Sequence, residues 1–362
     1  MSTLLEYKCP CCGGAVSFDS GTQKMKCPFC DAEFDVEALK NAQAETDRNS
    51  QPEKQEWESS VDNQWSSEEL NGMNVYVCNS CGGEVIAEDI TGATACPYCD
   101  SPIVFKSSFA GDLRPDYVIP FKLDKKAAKE AMFGHLKGKK LLPKVFKDEN
   151  HIDEIKGLYV PFWLFNSDTD SRYIFRATKV RHWSDSKYEY TETSHYNVYR
   201  DGRLSFKNIP VDGSEKMADD LMESIEPFNY ADLKDFNTGY LSGYLADKYD
   251  VSREDCVKRA NQRIRNSTEL AFRETVHGYT TVSTQSSNVN YLNGSSKYAL
   301  LPVWVLNTTW KDQKFTFAMN GQTGKFVGNL PMDWGLFWKW FLGLFGAVGA
   351  AATAIALLIN LL

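Results

Sequence analysis

Eight of the ten cysteines occur as four Cys-x-x-Cys pairs: Cys9 and Cys12, Cys27 and Cys30, Cys78 and Cys81, Cys96 and Cys99. Fourteen residues separate Cys12 from Cys27, and fourteen separate Cys81 from Cys96. A Cys-x-x-Cys turn aims two thiolates at one point, and fourteen residues are enough for a hairpin that brings a second turn to face the first. Four thiolates close a tetrahedral shell with no open position, the structural kind of zinc site, so two zinc ions are expected, one per cluster. Iron in a tetrathiolate fits the same ligand set. Gly13-Gly14 and Gly82-Gly83 supply the tight backbone that follows the second ligand. A unit of about 25 to 30 residues is too small for a core of its own, so metal binding must supply its folding free energy.

The remaining cysteines fall outside this pattern. Cys11 lies between two ligands that the spacing selects, and Cys256 sits in a helical stretch and reads as packing. Cys96-Pro97-Tyr98-Cys99 is spelled like a dithiol redox motif, but that chemistry wants a preceding strand and a following helix, whereas here the motif closes a ribbon. Charge tests a nucleic-acid role. The chain carries 40 basic and 48 acidic residues, net −8. Residues 1–30 carry Lys8, Lys24 and Lys26 against Glu6 and Asp19, net +1. Residues 76–106 carry Lys106 against Glu84, Glu88, Asp89 and Asp100, net −3. Neither offers a basic stripe for phosphates, so nucleic acid is disfavoured and the ribbons read as protein-binding or structural modules.

The elements that must position these ligands follow from length and patterning. At 362 residues, with 43% hydrophobic and 24% charged side chains, the chain is globular and long enough for several domains. Residues 1–34 and 75–107 read as two small β zinc ribbons, with short strands in Ala15–Asp19 and Glu84–Ala87. Between them, 35–74 reads as a short helix over 36–44 and then a flexible linker. From Asp31 to Leu70 there are 12 acidic residues against Lys40, Arg48 and Lys54, net −9, which leaves the rest of the chain at +1. So polar a segment cannot offset its ordering entropy. Trp57 and Trp65 within it are either docking anchors for a partner or contacts to the chain itself.

Residues 334–362 read as a membrane span. Leu342–Leu362 has only Thr353 and Asn360 as polar residues, and 21 residues rise about 31 Å, against a hydrocarbon core of about 30 Å. Trp334, Trp338 and Trp340, with Lys339, form an interfacial collar. Gly346, Ala350 and Ala354 line one face at a spacing that allows helix–helix association in the bilayer. The N-terminal segment has no apolar run of signal-peptide length, and thiol-rich metal modules belong in a reducing compartment. A single-pass protein of the cell membrane, its N-terminal domains cytoplasmic, is therefore expected.

Residues 111–331 read as an α+β domain. Helices are expected over 123–136 and 251–276, and a hairpin about Asp201-Gly202 within 196–209. A further turn is expected about Asn320-Gly321. Two apolar decapeptides, Gly157–Asn166 and Tyr298–Asn307, share an order of aromatic, apolar, Pro and Trp residues ending in Asn, which suggests an internal duplication of a helix-plus-sheet unit. Pro161 and Pro302 suggest edge positions or bulges. No catalytic constellation stands out. Of His135, His151, His182, His195 and His277, only His182 and His195 share a region, with Asp185, Glu189 and Glu192, and a solvated sheet face explains the same pattern. Asn320–Lys325 ends in Thr-Gly-Lys without a phosphate loop's first glycine and reads as a turn.

Two ribbons, then Val118–Phe121, Gly157–Phe165, Leu301–Trp304, Ala318–Lys325 and an apolar tail together resemble bacterial TFIIB-type zinc-ribbon-containing membrane proteins. Members of that family are encoded near phage-shock-type envelope-stress proteins and SPFH, flotillin-like proteins. The resemblance implies a non-enzymatic, membrane-anchored adaptor that recruits or scaffolds a cytosolic SPFH-type partner, with no cofactor besides zinc. The alternative is a membrane-tethered nucleic-acid-binding or transcription regulatory protein. A hydrolase or redox enzyme in the central domain would need convergent His and carboxylate side chains.

Overall fold

The computed structural model describes residues 8–11, 14–58, 65–66, 73–88, 95–108, 113–148, 152 and 154–361; Cys12 and His151 lie outside them. The chain divides into two compact units, one of Met1–Ser60, Leu164–Val211 and Val257–Ser296, the other of Val61–Trp163, Asp212–Cys256 and Lys297–Leu362. The stretch 111–331, expected as one domain, is thus shared between both. Residues 75–107, expected as a separate module, belong wholly to the second.

In the first unit, a three-stranded antiparallel sheet (Ser17–Asp19, Lys24–Lys26, Glu33–Phe34) precedes the helix Val36–Asn49. The unit's core lies between the long strands and the helix Arg253–Arg273. Ala260, Ile264, Thr268 and Phe272 recur every four residues and form that helix's buried stripe. Tyr173, Phe175 and Ala177 alternate inward along the strand Lys156–Ser184, and Ile264, Phe272, Val289 and Tyr291 complete the cluster.

Two expectations change in this unit. The hairpin at Asp201-Gly202 is absent: both residues lie within one strand, Glu189–Asp212, and the chain reverses at Asp185–Tyr188. There the Asp185 carboxylate accepts from the backbone N–H groups of Lys187 and Tyr188 at 2.7 and 2.8 Å. The acidic linker is also ordered over much of its length. Its helix continues to Asn49, and Gln55–Trp57 is a strand parallel to Tyr291–Gly294. Partners far along the chain hold the segment: Asn288 Nδ2 donates to Gln51 O at 2.7 Å, Lys54 N to Asn290 Oδ1 at 2.9 Å, and Arg265 pairs with Glu53. Trp57 packs edge-on to Phe165 with ring centroids 5.3 Å apart.

The second unit is built on a mixed sheet ordered Lys234–Asp235, Tyr117–Val118, the 297–310 part of Thr281–Trp310, the 156–163 part of Lys156–Ser184, Leu245–Asp247, Glu84–Glu88, Met73–Cys78, Ile103–Ser108. Gln313–Asn320 returns antiparallel along Thr281–Trp310 through Lys311-Asp312, both left-handed (φ 52° and 61°), a conformation that suits Asp312 but that Lys311 does not favour. The hairpin to Phe326–Gly328 turns through 321–325, with Gly324 at φ 78°. Pro302 is interior to the sheet. It falls where the strand's neighbour changes from Tyr117–Val118, paired at Ala299–Leu300, to Gln313–Asn320, paired from Val303, so a missing N–H breaks neither ladder.

The helix Lys125–Leu136 is capped by Asp124, whose carboxylate accepts from Ala127 N at 2.8 Å. Its Ala128, Met132 and Leu136 cover Trp304, Leu306, Phe317 and Met319 of the sheet, with Leu142 and Phe146 from the following turn. Trp65 packs edge-on to Phe236 in this unit, ring centroids 5.4 Å apart. Among the described residues one helix, Trp334–Leu361, is long and apolar enough to cross a membrane, and its apolar window is wholly unburied. Asp333 caps it, accepting from Gly335 N at 2.8 Å.

The strand Gln55–Trp57 gives a test. A Cβ on Gly294 would lie 2.5 Å from both Glu56 O and the Trp57 ring, so Gly294→Ala forces that strand off its neighbour. Such overpacking costs about 1–3 kcal/mol. Trypsin cleavage after Lys54 should accelerate about tenfold or more while the helix Arg253–Arg273 stays protected. An unchanged cleavage rate would mean that this strand is not held by the contact.

Candidate metal centres

Both clusters are built from the same local pieces. In the second, Met73–Cys78 and Glu84–Glu88 form an antiparallel hairpin, Val77 opposite Glu84, so that Cys78 ends one strand and the turn 79–83 carries Cys81. The return pair, Cys96 and Cys99, leads into Ile103–Ser108, and Cys78 lies opposite Ile103. Each turn repeats one hydrogen-bond pattern. Gly82 N donates to Cys78 O at 2.8 Å and Cys78 N to Gly83 O at 2.9 Å; Asp100 N donates to Cys96 O at 3.1 Å and Cys96 N to Ser101 O at 2.8 Å. In the first cluster Asp31 N donates to Cys27 O at 3.0 Å and Cys9 N to Gly14 O at 2.7 Å. The residue after the second cysteine is left-handed in all three fully described turns: Asp31 (φ 56°), Gly82 (71°) and Asp100 (58°).

The sulfur geometry suits a tetrahedral ion. Cys78, Cys81, Cys96 and Cys99 have all four Sγ atoms within 4.8 Å of one another, as do Cys9, Cys27 and Cys30 in the first cluster. Nearest separations are 3.4 Å for Cys78–Cys99, 3.7 Å for Cys81–Cys96 and 3.6 Å for Cys9–Cys30. Metal–sulfur bonds of about 2.3 Å place tetrahedral sulfurs about 3.8 Å apart. All the described cysteines are free of disulfides. Three of the four expected ligands of the first cluster are thus brought together, and the fourth, Cys12, lies outside the described residues. Cys11 is half-buried and stands apart from the ligand group.

Electrostatics at the second cluster oppose bare thiolates. Burial raises the Cys81 thiol and raises that of Cys96 strongly. Burial acts upward on Cys99 too, but hydrogen bonds from Ser101 bring it down to about 6. A cation among the sulfurs reverses the balance, because metal ligation requires and favours the deprotonated form.

Outside the sulfurs, sequence reading missed what holds each turn. Asn307, the last residue of the second apolar decapeptide, donates to Pro97 O at 2.7 Å and is itself held by Thr316 at 2.9 Å. Lys156 Nζ donates to Cys96 O at 3.0 Å and pairs with Asp100 at 2.5 Å. Tyr98 is buried beside Asp247, whose carboxyl burial pushes up to about 7 despite a 2.5 Å bond from Ser214. In the first unit, Arg176 donates to Pro10 O at 2.7 Å. An Asn or Arg that reaches a turn carbonyl from a distant strand leaves no spacing signal.

The second glycine of each pair has a role that the sequence did not reveal. A Cβ on Gly83 would lie 2.7 Å from the Tyr98 ring, and one on Gly14 would lie 2.5 Å from the Phe29 ring. Each aromatic sits inside the return Cys-x-x-Cys pair and covers the glycine of the outgoing turn. Tyr98 is buried, whereas Phe29 is 74% exposed and free to move.

The residues weighed for acid–base chemistry do not converge. His182 Nδ1 bonds Thr191 Oγ1 at 2.8 Å on an exposed surface, and Asp185 is the turn residue described above. His195 instead lines a cavity of about 350 Å³ in the first unit with Cys11, Arg176 and Tyr196. Cys256 is buried, and its thiol lies 3.6 Å from Asp212 O.

No family model matches the chain, and no solved structure matches it. It is 35% identical over 357 residues, 99% of either chain, to a protein of Bacillus subtilis (strain 168) described as "Uncharacterized protein YdjG".

Two measurements check the centres. Elemental analysis of the purified chain should find two zinc ions, one after either Cys27→Ser or Cys96→Ser, and none after both; a full complement in the double variant would refute the ligand assignment. Gly83→Ala should weaken metal retention by the second cluster about tenfold in competition with a chromophoric chelator, whereas Gly14→Ala should change the first cluster little. Equal losses at both would show that ring burial does not decide the outcome.

Proposed function

We propose that this chain, which belongs to the family of the uncharacterized protein YdjG, is a non-enzymatic, membrane-anchored adaptor that holds a cytosolic protein partner at the membrane. Both cysteine clusters act as structural zinc ribbons of the TFIIB type, and an SPFH, flotillin-like protein is the partner that the sequence resemblance implies. The observation that carries the reading is the pairing of closed four-cysteine geometry with an unburied apolar helix in one chain. A closed thiolate shell offers no position for substrate, so it builds surfaces instead of performing reactions. The helix Trp334–Leu361 is about 42 Å long, enough to span with its collar of Trp334, Trp338 and Trp340 at the headgroup level. Thiolate ligands keep their metal in a reducing compartment, which supports a cytoplasmic position for the body. The internal duplication belongs to the same reading, supported by the two apolar decapeptides lying in the two longest strands, Lys156–Ser184 and Thr281–Trp310.

The test is fractionation. With the full chain present, an SPFH-type partner should co-purify from membranes in mild detergent; deleting 341–362 should move chain and partner together into the soluble fraction. A partner that stays on membranes without the chain's helix, or that never accompanies it, would end the adaptor reading.

A further inference from the structure

We propose that the lysine-rich segment 125–147 is a docking surface for the headgroups of anionic phospholipids, fixed at the root of the apolar helix. The proposal deepens the membrane-anchored reading and rests on it. Between residues 125 and 147 there are eight lysines and one acid, Glu130, net +7, in a chain whose total is −8. The remainder therefore stands at −15, and the basic stretch is bounded by Asp124 on one side and by Asp148 and Glu149 on the other.

Packing turns the lysines outward. Ala128, Met132, Leu136, Leu142 and Phe146 of the same segment are buried in the second unit's core. That leaves Lys125, Lys126, Lys137, Lys140, Lys144 and Lys147 exposed. Two contacts then tie the patch to the helix Trp334–Leu361. Asp333 N, at the helix cap, donates to Leu141 O at 2.9 Å. Lys140 Nζ lies 4.8 Å from the centroid of the Trp340 ring. Trp340 is six residues, about 9 Å, into that helix, which is where an interfacial tryptophan meets headgroups. Lys140 is consequently held within about one Debye length of the headgroup plane.

Charge complementarity selects the occupant. An anionic leaflet attracts each lysine held near its surface, strengthening association about fivefold per residue at low salt. Phe133, exposed on the same segment, and Met332, exposed beside Asp333, add apolar side chains suited to the interface.

The full-length chain, reconstituted in nanodiscs, gives the test. Hydrogen exchange over 137–147 should be slower in discs containing phosphatidylglycerol than in discs of phosphatidylcholine, and high salt should remove the difference. The triple variant Lys137→Gln, Lys140→Gln, Lys144→Gln should lose the difference while keeping its circular dichroism and metal content, because all three side chains are exposed. Equal exchange in both lipids would overturn headgroup docking and leave the anchor intact. Failure of the chain to enter discs of either composition would overturn the anchor as well. Slowing by RNA added to phosphatidylcholine discs, as strong as that by phosphatidylglycerol, would overturn the assignment to lipid.

Discussion

Crowded sulfur is the constraint on which the rest of this molecule depends. Sulfur atoms 3.4–3.7 Å apart are too far for a disulfide and too close for thiolates without company. At an effective dielectric constant near 20, each such pair of negative charges repels by about 5 kcal/mol. Protonation or a cation must relieve that repulsion. Protonation is what burial drives at Cys96; a divalent ion instead offsets the repulsions by forming one bond to each sulfur. The turns around the cysteines are already shaped for the second solution, with carbonyls and N–H groups satisfied locally and left-handed residues at the same step.

The clusters share their turns and differ in their surroundings. The second is a part of its unit's sheet: Glu84–Glu88 pairs with Leu245–Asp247, Asn307 and Lys156 hold the return turn, and Tyr98 is buried. Loss of a metal bound there would unsettle a core that includes Val85, Ile86 and Ala246. The first cluster keeps a separate three-stranded sheet and leaves Phe18 and Phe29 exposed. There a bound metal would act nearly alone, with Arg176 fastening one carbonyl. Equal spacing in the sequence therefore encodes equal local geometry but unequal mechanical roles.

Which parts were legible follows from the range of the interactions involved. Ligand spacing, the helix stripe of Met132 and Leu136 and the apolar span are local patterns, and they read directly. Asp201-Gly202 misled because its turn propensity is local, while the strand Glu189–Asp212 that contains it is held by its neighbours. The true reversals use Asp185 side-chain bonds and Lys311-Asp312, a pair with no turn signature. Residues 49–58 look like a tether because they bury little oil, yet Asn288, Asn290 and Arg265 supply polar partners more than 200 residues away. Low hydrophobicity predicts disorder only where such partners are lacking. Trp57 and Trp65 settle on Phe165 and Phe236 of the chain itself, each within its own unit.

Net charge is a coarse scale for judging partners. A total of −8 conceals one stretch at −9 and another at +7. The basic stretch escapes notice because it is also an amphipathic helix and turn, and its lysines look like ordinary solvent-facing residues. The two descriptions are one fact: the periodicity that buries Ala128, Met132 and Leu136 is what gathers the cations on the outside. On a freely diffusing domain, water and salt would screen such a surface within about 8–10 Å. On the proposed reading, the tie to Asp333 and Trp340 at the start of the apolar helix keeps the same cations at a short distance from an anionic leaflet. On that reading, attachment to the apolar helix, more than the number of lysines, gives the patch its strength.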